Sequence, residues 1–280
     1  MNQVRVWVNG RLTNADTASV SAVDHGITVG DGGFETAKIV GGIPYAVTRH
    51  LARLDRTLDG LGLPLVSHDL LREGIEAVLT CGPPIEFGRL RWTVTGGYGP
   101  LGSDRHDSEV TVIVTAAPQA RPAATGEVVL TEWVRNERSA TAGLKTTSYA
   151  ENVVALAYAK ERGAVEALFA NTRGDLCEGT GSNVFVVVDG VLLTPPLSSG
   201  CLPGIARELT LEWCREAGLP VAEEDLPVGV LGSADEVFLT SSIKDVMAVT
   251  RVGERRLAAG PVTGAVRELY GRRLGEVVDP

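Results

Sequence analysis

The chain has 280 residues, a net charge of −9 at pH 7 and a pI near 5.1; this acidic balance argues against a nucleic-acid partner, because neutralising phosphates needs a basic face. With 44% hydrophobic residues and a mean hydropathy of +0.10, it can build a sizeable core, as one large domain or two smaller ones. No apolar run approaches the roughly 20 residues that span a bilayer, the Met1-Asn2-Gln3-Val4-Arg5-Val6 start shows no secretory leader, and Cys81, Cys177, Cys201 and Cys214 lack metal-ligand spacing and read as reduced thiols in a cytoplasmic protein.

Val4 to Val8 alternates and ends at Asn9-Gly10, a two-residue hairpin signal. Phe34 to Val40 reads as a strand that turns at Gly41-Gly42. Thr48 is placed to cap a helix whose Leu51, Leu54, Leu58 and Leu61 share one face, ending at Gly62 and Pro64. A second helix is expected from about Ser67 to Thr80, then strands Arg89 to Thr95 and Val110 to Ala116 around a glycine-rich loop. Residues 118–126, short, proline-bearing and weakly hydrophobic, read as a linker between a small α/β domain (1–117) and a larger one (127–280). The larger domain opens with a strand, Glu127 to Val134. Ser148-Tyr149-Ala150-Glu151 fits a capping box that starts a helix running to Arg162. Strands Glu166 to Ala170 and Asn183 to Val188 follow, and Asp189-Gly190 turns into Val191 to Thr194. Pro203 is placed in the first turn of a helix reaching about Ala217; Glu236 to Thr240 is a strand and Val262 to Leu274 a closing helix. The whole reads as an α+β fold rich in hairpins, not a simple parallel sheet.

Four features converge on one ligand chemistry. Lys145 is one of four lysines (with Lys38, Lys160 and Lys244) among 26 Lys and Arg residues. Where arginine is the default cation, a retained lysine can serve as an amine that loses its proton and forms a Schiff base. On its own it would equally be a surface lysine. Glu178 precedes Gly179-Thr180-Gly181-Ser182-Asn183, small residues that let backbone approach a flat ligand, and a carboxylate facing a pyridine nitrogen keeps that nitrogen protonated. Alone, Glu178 would read as an exposed turn glutamate. Leu202-Pro203-Gly204-Ile205-Ala206 offers free amides at a helix start, suited to a phosphate. The hydroxyl run Thr240-Ser241-Ser242 can add donors to the same phosphate or act as ordinary capping. Together these describe a pyridoxal 5′-phosphate site.

Ordered along the chain, Gly30-Asp31-Gly32-Gly33-Phe34-Glu35-Thr36, Arg49-His50-Leu51-Ala52-Arg53-Leu54, Leu144-Lys145-Thr146-Thr147-Ser148-Tyr149, Glu178-Gly179-Thr180-Gly181-Ser182-Asn183-Val184-Phe185, Leu202-Pro203-Gly204-Ile205-Ala206-Arg207 and Ala234-Asp235-Glu236-Val237-Phe238 resemble the class IV aminotransferases, pyridoxal-phosphate enzymes of fold type IV. The resemblance implies a two-domain fold like that of D-amino acid aminotransferase, with Lys145 as the Schiff-base and proton-shuttling residue and Glu178 at the pyridine nitrogen. It implies that Arg53, the amides of Ile205 and Ala206 and the hydroxyl of Ser242 bind the phosphate. Tyr149 is then the partner of the cofactor's phenolic oxygen, and Leu202 packs on the ring. Ala206 stands where many relatives carry threonine, which removes one hydroxyl and leaves the amide. The family also implies a homodimer and a small amine substrate bearing a carboxylate.

Within the family, the stretch around Phe34-Glu35-Thr36 and the loop Thr95 to Gly102 look most like 4-amino-4-deoxychorismate lyase, which releases pyruvate and forms 4-aminobenzoate. An aminotransferase of D-amino acids, branched-chain amino acids or amines is the alternative. D-amino acid enzymes carry a fuller Arg and His carboxylate trap, for which Arg105-His106 is the available pair, although a charged loop tip is the plainer reading. Arg91, Arg105 and Arg138 are unranked candidates for a substrate carboxylate. A cofactor-free metabolite-binding relative would be marked by loss of Lys145 or Glu178, and both are present.

Overall fold

A computed structural model describes residues 4–107 and 109–280 of the chain; the Met1–Gln3 start falls outside the described residues. The chain divides into two compact units, one comprising Met1–Arg121, Leu144–Tyr149 and Val278–Pro280, the other Pro122–Gly143 and Ala150–Val277.

In the first unit, β1 (Arg5–Val8) and β2 (Arg11–Asn14) form the expected hairpin, with Asn9 and Gly10 both at positive φ (44° and 85°), the geometry of a primed turn. With β3 (Gly32–Val40), β4 (Ile43–Pro44), β5 (Phe87–Thr95) and β6 (Thr111–Pro118) they make an antiparallel sheet in the order β2-β1-β6-β5-β3-β4. The short α1 (His25–Thr28), α2 (Val47–Leu61) and α3 (His68–Thr80) complete the unit. The leucine spacing on α2 does what it promised: Leu51, Leu54 and Leu58 are fully buried in one core with Trp7, Leu71, Leu90 and Trp92. Ser67 caps α3 by accepting the Asp69 N–H at 3.2 Å.

Thr48 does not cap α2. It lies inside the helix, whose preceding residue, Ala46, has no side-chain acceptor to offer. The carboxylate of Asp279 serves instead, accepting the Thr48 N–H at 2.9 Å and its hydroxyl at 2.6 Å. A cap supplied from 231 residues away leaves no local signal.

Leu144–Tyr149 belongs to the first unit, whereas the expected 127–280 domain would have held it. The reason is an open strand edge. β4 pairs only with Ile39 and Val40 of β3, so the backbone groups of Gly32 to Phe34 face outward on that side. The Lys145 segment pairs with them: Phe34 N–H donates to the Lys145 carbonyl at 2.9 Å, Thr147 N–H to Gly32 at 2.8 Å, and Gly33 bridges Thr146. Ser148 differs from expectation for the same reason. Its hydroxyl donates to the Gly30 carbonyl at 2.9 Å, and the helix begins two residues later.

The second unit holds a mixed sheet of β7 (Thr125–Arg135), β8 (Glu166–Asn171), β9 (Leu176–Gly179), β10 (Asn183–Val188), β11 (Val191–Thr194), β12 (Val221–Glu223), β13 (Glu236–Ser241) and β14 (Asp245–Val252). Their order is β12-β11-β10-β13-β14-β7-β8-β9, with β15 (Arg255–Arg256) on β14. β7 runs parallel to both β14 and β8, and β11 to β12; the remaining pairs are antiparallel. Helices α4 (Ala150–Glu161), α5 (Ile205–Glu216) and α6 (Pro261–Glu276) accompany it. The α+β class holds, and hairpins dominate both sheets. Pro203 does not occupy the first turn of α5 as expected; it precedes Gly204, the N-cap. Among the described residues no helix is long and apolar enough to cross a membrane.

Candidate active site

Lys145 sits at the end of a short pairing strand, held by its own backbone. Its carbonyl accepts from Phe34, and its N–H donates to the buried Thr57 hydroxyl at 3.2 Å, reaching α2. The side chain is thereby directed along β3, where its Nζ lies 4.3 Å from the centroid of the Phe34 ring and 5.7 Å from that of Tyr149. Phe34 and Tyr149 meet edge to face at 5.2 Å. A second cation shares the ring: the guanidinium carbon of Arg91 is 3.7 Å from the Phe34 centroid, and its Nε donates to Thr93 at 3.2 Å. Burial depresses the Arg91 pKa below the ordinary guanidinium value, an effect the neighbouring Tyr149 opposes.

The other candidate cations of this region are placed differently. Arg105 forks onto Asp31 (Nε to Oδ2 2.7 Å, Nη2 to Oδ1 2.5 Å) and donates from Nη1 to the carbonyls of Leu61 and Gly62. Every part of its guanidinium is engaged. Arg138, in the second unit, is exposed.

Arg53 is buried, 3% exposed, rather than lying on a solvated helix face. It forks onto Glu35, Nε to Oε1 and Nη2 to Oε2, both at 2.7 Å, and the Nδ1 of His50 lies 2.6 Å from Glu35 Oε2. Burial alone would raise the pKa of Glu35, but Arg53 and His50 hold it well below the usual carboxylate range. Burial pushes the His50 pKa down; Glu35 opposes, while Arg53 and Lys145 add to the depression. The net effect is a His50 pKa below the ordinary imidazole value. Glu35 had appeared only as a letter in a motif. Its partners are 15 and 18 residues away, on a helix whose rotation relative to β3 no spacing reveals.

In the second unit, Glu178 lies on β9 and is mostly buried, not an exposed turn residue. Its Oε2 accepts the Leu202 N–H at 2.9 Å, and its Oε1 lies 3.2 Å from Arg135 Nε. Arg135, packed over the Phe169 ring at 4.1 Å, went unnoticed in the sequence because it sits at a strand end with no motif around it. Space at Gly204 is tight: a Cβ there would lie 2.0 Å from Asn183 Oδ1, so the asparagine side chain would have to move. The same asparagine donates to the Leu202 carbonyl at 2.8 Å and pairs across the sheet with Thr240. Leu202, Gly204, Ile205 and Ala206 therefore stand beside the end of β13, from which Ser242 follows in the next turn. No side chain caps the first amides of α5, and the buried Thr240 hydroxyl has no hydrogen-bond partner among the described residues.

The first unit thus orders a lysine amine against two rings, and the second shields a carboxylate and leaves a helix start without a side-chain cap. An aminotransferase from Brucella abortus bound to PLP superposes with a TM-score of 0.86, 25% identity and coverage of 96% of this chain and 98% of that one. The chain belongs to the amino-transferase class IV family, whose model matches residues 32–252. It is 31% identical over 275 residues to a D-alanine aminotransferase of Staphylococcus epidermidis (95% of each chain). It is 27% identical over 284 residues to an aminodeoxychorismate lyase of Bacillus subtilis (98% of this chain, 96% of that one).

Proposed function

We propose that this chain is a pyridoxal-phosphate-dependent 4-amino-4-deoxychorismate lyase. The observation that carries the reading is the pairing of an amine and a carboxylate-binding cation on one ring. Lys145 Nζ and the Arg91 guanidinium both lie against Phe34, while Arg105 is engaged by Asp31. A substrate bearing an amine and a carboxylate matches that pair.

The residues present fit the cofactor. In the second unit, the uncapped amides of Ile205 and Ala206, Ser242 and the Thr240 hydroxyl, unpartnered among the described residues, suit a phosphate; in the first, the resemblance assigns a phosphate role to Arg53, which Glu35 holds fixed. Glu178 is shielded enough to hold a proton on a pyridine nitrogen, with Leu202 beside it. Tyr149 is suited to the phenolic oxygen. When bound, pyridoxal phosphate supplies an electron sink for the carbon that carries the substrate nitrogen. Lys145 accepts the proton from that carbon and returns one. Arg91 orients the substrate through its carboxylate. The atoms balance without a co-substrate: aminodeoxychorismate divides into pyruvate and 4-aminobenzoate.

An aminotransferase is the second reading, favoured by the higher identity to the D-alanine enzyme. The engagement of Arg105 counts against a carboxylate trap in its loop. Incubation with aminodeoxychorismate and no keto acid tests the choice. The lyase reading expects equal amounts of pyruvate and 4-aminobenzoate; no product there, with keto-acid-dependent turnover of an amino acid, reverses it. Exposed Val153 and Val154 on α4 support the expected homodimer, which light scattering reads directly.

A further inference from the structure

Lys244, like Lys145, is one of the four lysines of the chain, and the chemistry above gives it no part. It lies in the turn between β13 and β14, and its Nζ donates to Glu166. Glu166, on β8, is 2% exposed. Its Oε1 takes Lys244. Its Oε2 takes three donors: the Ser182 hydroxyl at 2.7 Å, the Gly181 N–H at 3.1 Å and the Thr180 hydroxyl at 3.3 Å. The approach of the chain at that oxygen is close, since a Cβ on Gly179 would lie 2.6 Å from Glu166 Oε2. On the other side, the Lys244 N–H donates to the Ser241 hydroxyl at 3.1 Å, so the lysine backbone closes the turn that its side chain tethers.

This arrangement accounts for lysine in a chain dominated by arginine. A guanidinium binds a carboxylate best with both oxygens free to receive its fork. Here one oxygen is already occupied by three donors, and only a single-point donor suits the other. A carboxylate so deeply buried also needs a paired cation, because removing one partner leaves an uncompensated charge.

We propose that Glu166 and Lys244 are a positioning pair that couples two loops of the second unit, residues 178–183 and residues 241–245, and so sets the Ser242 turn relative to the Glu178 strand. The proposal rests on the cofactor reading above for its consequence, phosphate binding, though not for the coupling itself. Neither side chain touches the cofactor in this account; both act through the loops.

The test uses the full chain with Lys244→Met, which keeps the length of the stem and removes the charge, and Glu166→Gln, which keeps the shape should the first variant not fold. Amide hydrogen exchange reads the coupling. Either substitution should speed exchange by about tenfold in peptides covering both 178–183 and 241–245, the size expected for one lost hydrogen bond to a charged group. Faster exchange confined to the peptide that carries the substitution would overturn the coupling. Titration with pyridoxal phosphate and with pyridoxal reads the consequence: Lys244→Met should lower the preference for the phosphorylated form by about tenfold. A preference within twofold of wild type in a folded variant would overturn that role, as would an equal loss for both compounds alongside a lowered Tm, the signature of a purely structural pair. If exchange is coupled but the wild-type chain binds neither compound, the cofactor reading fails together with the phosphate role, and the coupling stands.

Discussion

Arg91 and Arg105 had equal standing as sequence positions, and their surroundings separate them. Arg105 has its fork filled by Asp31 and two carbonyls, whereas the one hydrogen bond the Arg91 guanidinium makes among the described residues is from Nε. Arg91→Leu should therefore lower kcat/KM for a carboxylate-bearing substrate by about 100-fold, the loss of one charge-assisted bidentate contact. Arg91→Lys should restore little, because an ammonium cannot fork. Steady-state kinetics on both variants checks this, and an Arg105→Leu variant should keep more of its activity than either.

His50 makes a prediction about pH at the same scale. Its pKa is lower folded than unfolded, so the unfolded chain binds the extra proton, and stability falls as pH drops through the ordinary imidazole value near 6.5. For one proton the slope is at most about 1.4 kcal/mol per pH unit. Glu35 has a depressed pKa: its contribution is present above the ordinary carboxylate pKa and is lost in stronger acid. Denaturant melts between pH 7.5 and 5 should show the histidine step in wild type and a shallower slope in His50→Gln. An unchanged slope would mean that His50 is charged when folded.

Elements were legible wherever their signals were local. Asn9-Gly10 and Asp189-Gly190 mark hairpins because positive φ at both positions suits those residues. The leucine spacing of α2 and the span of α3 from about Ser67 to Thr80 were equally readable. What failed to register was set by distant partners. β9 has four residues, Leu-Cys-Glu-Gly, with no β-branched side chain, and exists because β8 offers it an edge. β14 is longer, but Val246 to Val249 are buried in a row, which hides the alternation of a strand. The start of α2 depends on Asp279. Asp279→Ala should then cost about 1 kcal/mol, the usual worth of a lost N-cap, measurable as a shift in urea midpoint without a change in m. No shift would show the contact to be inert.

At the scale of the molecule, the chemistry was more legible than its support. Lys145, Glu178 and Ser242 were proposed from residue type and neighbours, and Arg53 and Tyr149 through motifs in fixed order. Those motifs point outward, toward what they would bind. The residues that orient them, Glu35 behind Arg53, Thr57 under Lys145, Asn183 at Leu202 and Glu166 between two loops, join positions 16 to 88 residues apart through folding alone. The unit boundaries teach the same lesson. Composition suggested a break near 118–126, yet nothing in composition says that Leu144–Tyr149 pairs with β3.

The central claim is that the Lys145 amine alone carries the cofactor, and a chain with four lysines allows a direct test. Borohydride reduction of the pyridoxal-phosphate-loaded protein, followed by digestion and mass spectrometry, should place the phosphopyridoxyl group on the peptide containing Lys145 and on no other. Label on Lys38, Lys160 or Lys244 in its place, or no label at all, would contradict it.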